Sequence, residues 1–175
     1  MSERVTAALR RAVSERAQGC CEYCGMPDTE TLAPHEPDHV IPAQHGGETT
    51  FANLAYACFQ CNRFKGPNIA SLDPATGTLT PLFNPRTARW ARHFRLNKAF
   101  IEPLTAIGRA TMFLLRLNDA ERMTIRANLL DQGRYAPATI ACSLCPRGPS
   151  QVHMLIRLPR GRRGASGGRG AGGPH

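Results

Sequence analysis

The sequence predicts an α+β fold: a small core closed by a four-cysteine zinc site, with flanking helices, a hairpin and a basic C-terminal tail. Three observations point that way. Two Cys-x-x-Cys pairs, Cys21 with Cys24 and Cys58 with Cys61, stand far apart in the chain, the pattern of two knuckles that close one tetrahedral zinc site. Between them Pro and Gly recur too often for a helix and leave room only for short extended segments. On either side of this region apolar residues recur at helical spacing.

The elements follow in order. Val5, Ala8, Leu9, Ala12, Val13 and Ala17 give a first helix, with Ser2 as its N-cap and Gly19 as its stop. Gly25, Pro27, Pro34 and Pro37 make Cys20–Pro37 a knuckle followed by a loop. Asp38–Ile41 reads as a short strand ended by Pro42, and Gly46-Gly47 as a turn or open loop. Phe51–Tyr56 reads as extended or irregular packed chain, and Cys58–Lys65 as a short helix closed by Gly66-Pro67. Leu72 and Leu79 flank a turn-rich Asp-Pro-Ala-Thr-Gly stretch, as in a hairpin. Thr105 and Asp119 are placed to cap two helices, to about Leu117 and Leu130. Their apolar faces use Ile107, Met112, Phe113, Leu114, Leu115, Leu117, Met123, Ile125, Leu129 and Leu130, read as core.

At 175 residues the chain is too short for two large cores. Lys and Arg number 22 against 13 acidic residues, a net charge of +9 that favours a polyanionic partner. Seven of those cations and none of the acids lie beyond Asp131, which leaves +2 for residues 1–131. The Gly- and Arg-rich end is expected to be disordered. It could add non-specific phosphate affinity through counterion release, or be dispensable. There is no apolar run long enough to span a membrane and no signal-peptide core, so membrane and secreted classes are excluded and a reducing, cytoplasmic setting is expected.

Four thiolates saturate zinc, so the site formed by Cys21, Cys24, Cys58 and Cys61 is structural, and in a core this small it contributes much of the folding free energy. A redox dithiol would need a pair on a thioredoxin-like strand-to-helix turn, and neither pair has that context. Cys20 reads as a spectator. Cys142 and Cys145 form a third pair with only His153 near, and read as incidental free thiols.

Between the zinc pairs lie Asp38-His39-Val40-Ile41-Pro42, Gly46-Gly47 and Asn53-Leu54, followed by Cys58-x-x-Cys61-Asn62-x-x-Lys65-Gly66. Taken alone, an Asp-His dipeptide is an ordinary surface pair. In this order and spacing, within zinc brackets, the string resembles the HNH endonuclease family in its zinc-bearing branch, as an H-N-N variant with Asn62 where His is the founding choice. The specific match covers Cys21–Gly66. Asn84-Pro85-Arg86, Trp90, His93-Phe94 and Gly108-Arg109-Ala110-Thr111 further resemble a bacterial subgroup of that family.

The resemblance implies a ββα-metal core at 20–66, after an N-terminal helix at 1–19. A helical and hairpin extension at 67–135 packs on it, and 136–175 is the tail. It implies DNA, double-stranded, as partner and phosphodiester hydrolysis as the reaction. His39 is then the general base, a role that suits an imidazole at neutral pH. Asp38 and Asn62 become ligands of a catalytic Mg²⁺ or Mn²⁺, cations that prefer hard oxygen donors. Asn53 holds the loop beside His39. Arg63 and Lys65 are phosphate-contact candidates on the short helix. His45 is read as a phosphate contact or a solvated side chain, and Glu36, next to His35, as a further acid near the metal or a solvated one. Arg86, Arg89, Arg92, Arg95 and Lys98, interleaved with Trp90 and Phe94, suggest one helical basic stripe, a DNA-backbone track or a solvated face. The alternative function is a catalytically inactive, zinc-stabilised nucleic-acid-binding module.

Overall fold

The computed structural model of the protein describes residues 4–135. The expected Ser2 cap, the tail at 136–175, the Cys142/Cys145 pair and His153 lie outside the described residues. Helix α1 spans Ala7–Arg16 and is capped by Thr6, whose hydroxyl accepts from Leu9 N at 3.2 Å. Thr6 therefore takes the role assigned to Ser2, and the helix starts later than its apolar pattern suggests. Val13 and Ala17 pack on Leu54 and Tyr56, whereas Ala8 faces solvent.

Strand β1 (Glu36–His39) pairs antiparallel with β2 (Leu54–Ala57), and Asp38 faces Ala55 across the ladder. The strand lies two residues earlier than Asp38–Ile41. Pro37 reads as a breaker in the sequence, but its partner Tyr56 turns both backbone groups the other way, with Tyr56 O accepting from Glu22 N and Tyr56 N donating to Glu22 Oε2, each at 2.8 Å. Pro37 thus occupies a position where no N–H is required. Helix α2 (Phe59–Lys65) follows at once, ends at Gly66 and packs against β1, which completes a ββα unit.

A second hairpin joins β3 (Ala70–Leu72) to β4 (Leu79–Pro81), with Leu72 opposite Leu79 as the turn signal predicts. The run from Arg86 to Lys98 is not one helix. It breaks into a loop, the single turn α3 (Trp90–His93) and strand β5 (Phe94–Asn97), which pairs with β6 (Phe100–Pro103). The five cations therefore share no stripe, and Arg86 is buried at 3% exposure.

Helices α4 (Ala106–Leu114) and α5 (Ala120–Asp131) close the fold. Thr105 caps α4 by accepting from Gly108 N, while Asp119 makes no side-chain cap bond to α5. Leu115, Leu117 and Leu129 are core, as expected, but Phe113 is exposed. Helix α5 instead buries Arg122 and Arg126, whose guanidinia donate at 2.7 Å to Leu115 O and Leu117 O. These cations satisfy carbonyls that the end of α4 leaves without helical partners.

One apolar cluster joins the four cysteines to Phe83, Trp90, Phe94, Ile101 and Leu115. The subgroup residues supply its polar stitching: Arg86 pairs with Glu22, Trp90 Nε1 donates to Tyr23 O at 3.0 Å, Arg109 forms a two-pronged pair with Asp73, and Thr111 Oγ1 accepts from Phe83 N. Gly108 is dictated by close approach, because a Cβ there would lie 2.3 Å from His93 O. Among the described residues no helix is long and apolar enough to cross a membrane.

Candidate functional site

The knuckle after α1 brings Cys21 and Cys24 together, and the start of α2 brings Cys58 as its N-cap and Cys61 in its first turn. All four are buried, with their sulfurs within 4.8 Å of one another. Cys24 Sγ and Cys58 Sγ are 3.8 Å apart. That excludes a disulfide, which needs about 2.05 Å. It matches the edge of a tetrahedron about 2.3 Å from centre to sulfur, about 3.8 Å, as zinc requires. Burial pushes the Cys21 and Cys61 thiols well up, while hydrogen bonds from Cys21, Cys58 and Cys61 hold Cys24 well below the usual thiol range. Arg122 Nη2 donates to Cys61 Sγ at 3.0 Å. Burial opposes its charge, but the neighbouring sulfurs of Cys61, Cys24 and Cys58 outweigh that and raise its pKa further. The donor set, spacing and compensating cation fit zinc. Cys20 stands outside the cluster.

Beside this cluster, Asp38 and His39 turn to different neighbours, as successive strand residues do. Asp38 is buried; its Oδ2 accepts from Tyr23 Oη at 2.8 Å and its Oδ1 from Lys65 Nζ at 3.2 Å. Burial pushes its carboxyl up, against the opposing pull of Lys65 and Tyr23. His39 Nε2 pairs with Thr49 Oγ1 at 2.9 Å. Asn62, one residue past Cys61 on α2, donates from Nδ2 to Glu36 Oε2 at 3.4 Å, which leaves the lone pairs of its Oδ1 as what could ligate a cation. Asp38, His39 and Asn62 line one open cleft of about 240 Å³ together with Pro37, Pro42 and Gly66.

Asn53 ties the loop before β2 to the end of β1. Its amide accepts from Ile41 N at 3.0 Å and donates to Ile41 O at 2.8 Å and Glu48 O at 2.9 Å. Gly47 is required here, since a Cβ would fall 1.6 Å from Ile41 O and 2.8 Å from the Asn53 amide nitrogen.

The remaining sequence candidates divide. Arg63 is exposed on α2. Lys65 is not: it is 2% exposed, and its ammonium is taken up by Asp38, His39 O and Gly66 O. Its four-carbon stem turns inward because the Asp38 carboxylate is buried beneath α2. Arg86 pairs with buried Glu22, and Arg95 with Glu102. His35 is a core residue bonded to Met26 O at 2.8 Å, His45 is exposed beside Gln44, and Glu36 lies against Asn62. Sequence reasoning passes over Tyr23, Glu22 and Thr49. The first two sit inside Cys21-x-x-Cys24, where spacing alone draws attention to the thiols, and nothing local marks Thr49.

Residues 21–68 match the family model described as HNH endonuclease. No curated protein and no solved structure gives a significant match to the chain.

Proposed function

We propose that this chain is a metal-dependent endonuclease that hydrolyses DNA phosphodiester bonds. The observation that carries the reading is the meeting of Asp38, His39 and Asn62 in one cleft, inside the segment that matches the HNH family. With Nε2 engaged by Thr49, His39 has Nδ1 to accept a proton from a water. That water attacks phosphorus as the bond to the 3′ oxygen breaks, leaving 3′-hydroxyl and 5′-phosphate ends. Asn53 keeps the loop from folding away from the imidazole. Arg63 contacts a backbone phosphate of the duplex.

The donor set fits a hard divalent cation: a carboxylate from Asp38 and an amide oxygen from Asn62, with Glu36 adjacent. Asp38 and Asn62 would hold Mg²⁺ or Mn²⁺, and the bound cation would neutralise charge that builds up at phosphorus. One observation favours the second reading, an inactive zinc-stabilised binding module: Lys65 Nζ already stands 3.1 Å from the Asp38 carboxylate. The test is end-labelled linear duplex incubated with zinc-loaded protein in Mg²⁺ or Mn²⁺. Products with 3′-hydroxyl ends, abolished by EDTA, support the nuclease. Folded protein that binds duplex without cutting it in either metal overturns the nuclease for the binding module.

A further inference from the structure

The two halves of the cysteine cluster each send one side chain to the same carboxylate. Tyr23 lies between Cys21 and Cys24 in the first knuckle, and its hydroxyl donates to Asp38 Oδ2 at 2.8 Å. Lys65 lies four residues after Cys61 on α2, on the same helix face, and donates to Asp38 Oδ1 at 3.2 Å and to His39 O at 2.7 Å. Tyr23 is 1% exposed, and its backbone is fixed by the Trp90 indole, which donates to its carbonyl at 3.0 Å. A phenylalanine would fill the same apolar space, so packing alone does not require the hydroxyl. Among the described residues that hydroxyl's hydrogen bond goes to Asp38.

We infer that Tyr23 is a positioning residue: through it the zinc knuckle sets the orientation of Asp38 toward a divalent cation in the cleft. The inference rests on the reading of Asp38 as a ligand of that cation. A carboxylate gripped on both oxygens by groups rooted in one rigid cluster keeps its remaining lone pairs aimed at the cleft. Outer partners that orient ligands in this way govern metal affinity by about 10- to 100-fold. Tyr56, whose hydroxyl bonds Asp28 at 3.0 Å away from the cleft, is the matched control.

The experiment is a Mn²⁺ titration of full-length, zinc-loaded protein without DNA, followed by the electron paramagnetic resonance of free Mn²⁺, with zinc content measured on each sample. Tyr23→Phe is expected to keep its zinc and to bind Mn²⁺ about 10-fold or more weakly, while Tyr56→Phe binds as wild type does. Asp38→Asn is expected to lose the site. Loss in Asp38→Asn with unchanged affinity in Tyr23→Phe overturns the inference alone. Unchanged affinity in Asp38→Asn, or no binding by wild type, overturns the reading beneath it and the inference with it. If Tyr23→Phe fails to hold zinc, wild type labelled with 3-fluorotyrosine carries the test. The chain has three tyrosines, so Tyr56→Phe and Tyr135→Phe identify the ¹⁹F resonance of Tyr23 by elimination. That resonance is expected to shift on saturation with Mg²⁺, and a resonance that stays fixed overturns the inference.

Discussion

Arg122 reaches from α5 to within 3.0 Å of Cys61 Sγ with its side chain 1% exposed. Four thiolates around a divalent cation carry a net charge of −2, and this guanidinium, hydrogen-bonded to Cys61, offsets part of it. Arg122→Met keeps the volume and removes the charge, and also orphans Leu115 O. The expected cost is about 3–5 kcal/mol, the range for breaking a buried pair, with faster zinc release to a chromogenic chelator. A variant that melts with wild type and holds zinc as long would deny the cluster any dependence on α5.

Glu22 is the hub between knuckle, helix and extension. Its carboxylate receives Arg16, Arg86 and the N–H of Tyr56. Glu22→Gln leaves the buried Arg86 and the partly buried Arg16 facing a neutral amide, and unfolding by urea should show a loss of about 3–5 kcal/mol. A loss below about 1 kcal/mol would mean that the arginines find other partners.

His93 supplies a pH dependence. Burial, aided by Arg92, lowers its imidazole below the ordinary 6.5, and its Nδ1 pairs with Thr105 at 2.8 Å. Folding thus disfavours the charged form. The stability it carries is complete above the unfolded value and is lost as pH falls through 6.5 and below. Wild-type Tm should fall more between about pH 7.5 and about pH 5.5 than that of His93→Gln; parallel curves would remove His93 from the pH response.

The zinc cluster, α2 and the β3–β4 hairpin were legible because each is set by local signals: Cys spacing, Gly66-Pro67, and a turn-rich Asp-Pro-Ala-Thr-Gly. The β5–β6 hairpin was not. Its two-residue turn, Lys98-Ala99, puts Lys98 at φ 51°, a conformation that sequence reading looks for at Gly or Asn. Without that marker, the three-residue spacing of the arginines suggests a helix. In the candidate site, Asp38, His39, Asn53 and Asn62 were readable as residue types in order. What holds them was not, since Tyr23–Asp38, Thr49–His39 and Lys65–Asp38 are tertiary contacts with no local pattern. The inward turn of Lys65 is the clearest case. A lysine on a short helix reads as a surface cation, and only the buried carboxylate beneath it reverses that.

In the nuclease proposed for this chain, His39 activates the attacking water. The direct measurement is nicking of supercoiled plasmid by wild type and His39→Ala side by side, in Mg²⁺, Mn²⁺ and EDTA, with plasmid binding measured in parallel. Metal-dependent nicking by wild type that falls by about 100-fold or more in His39→Ala, with binding retained, is the predicted result. Equal nicking by the two proteins, or binding by wild type with no nicking in either metal, would contradict it.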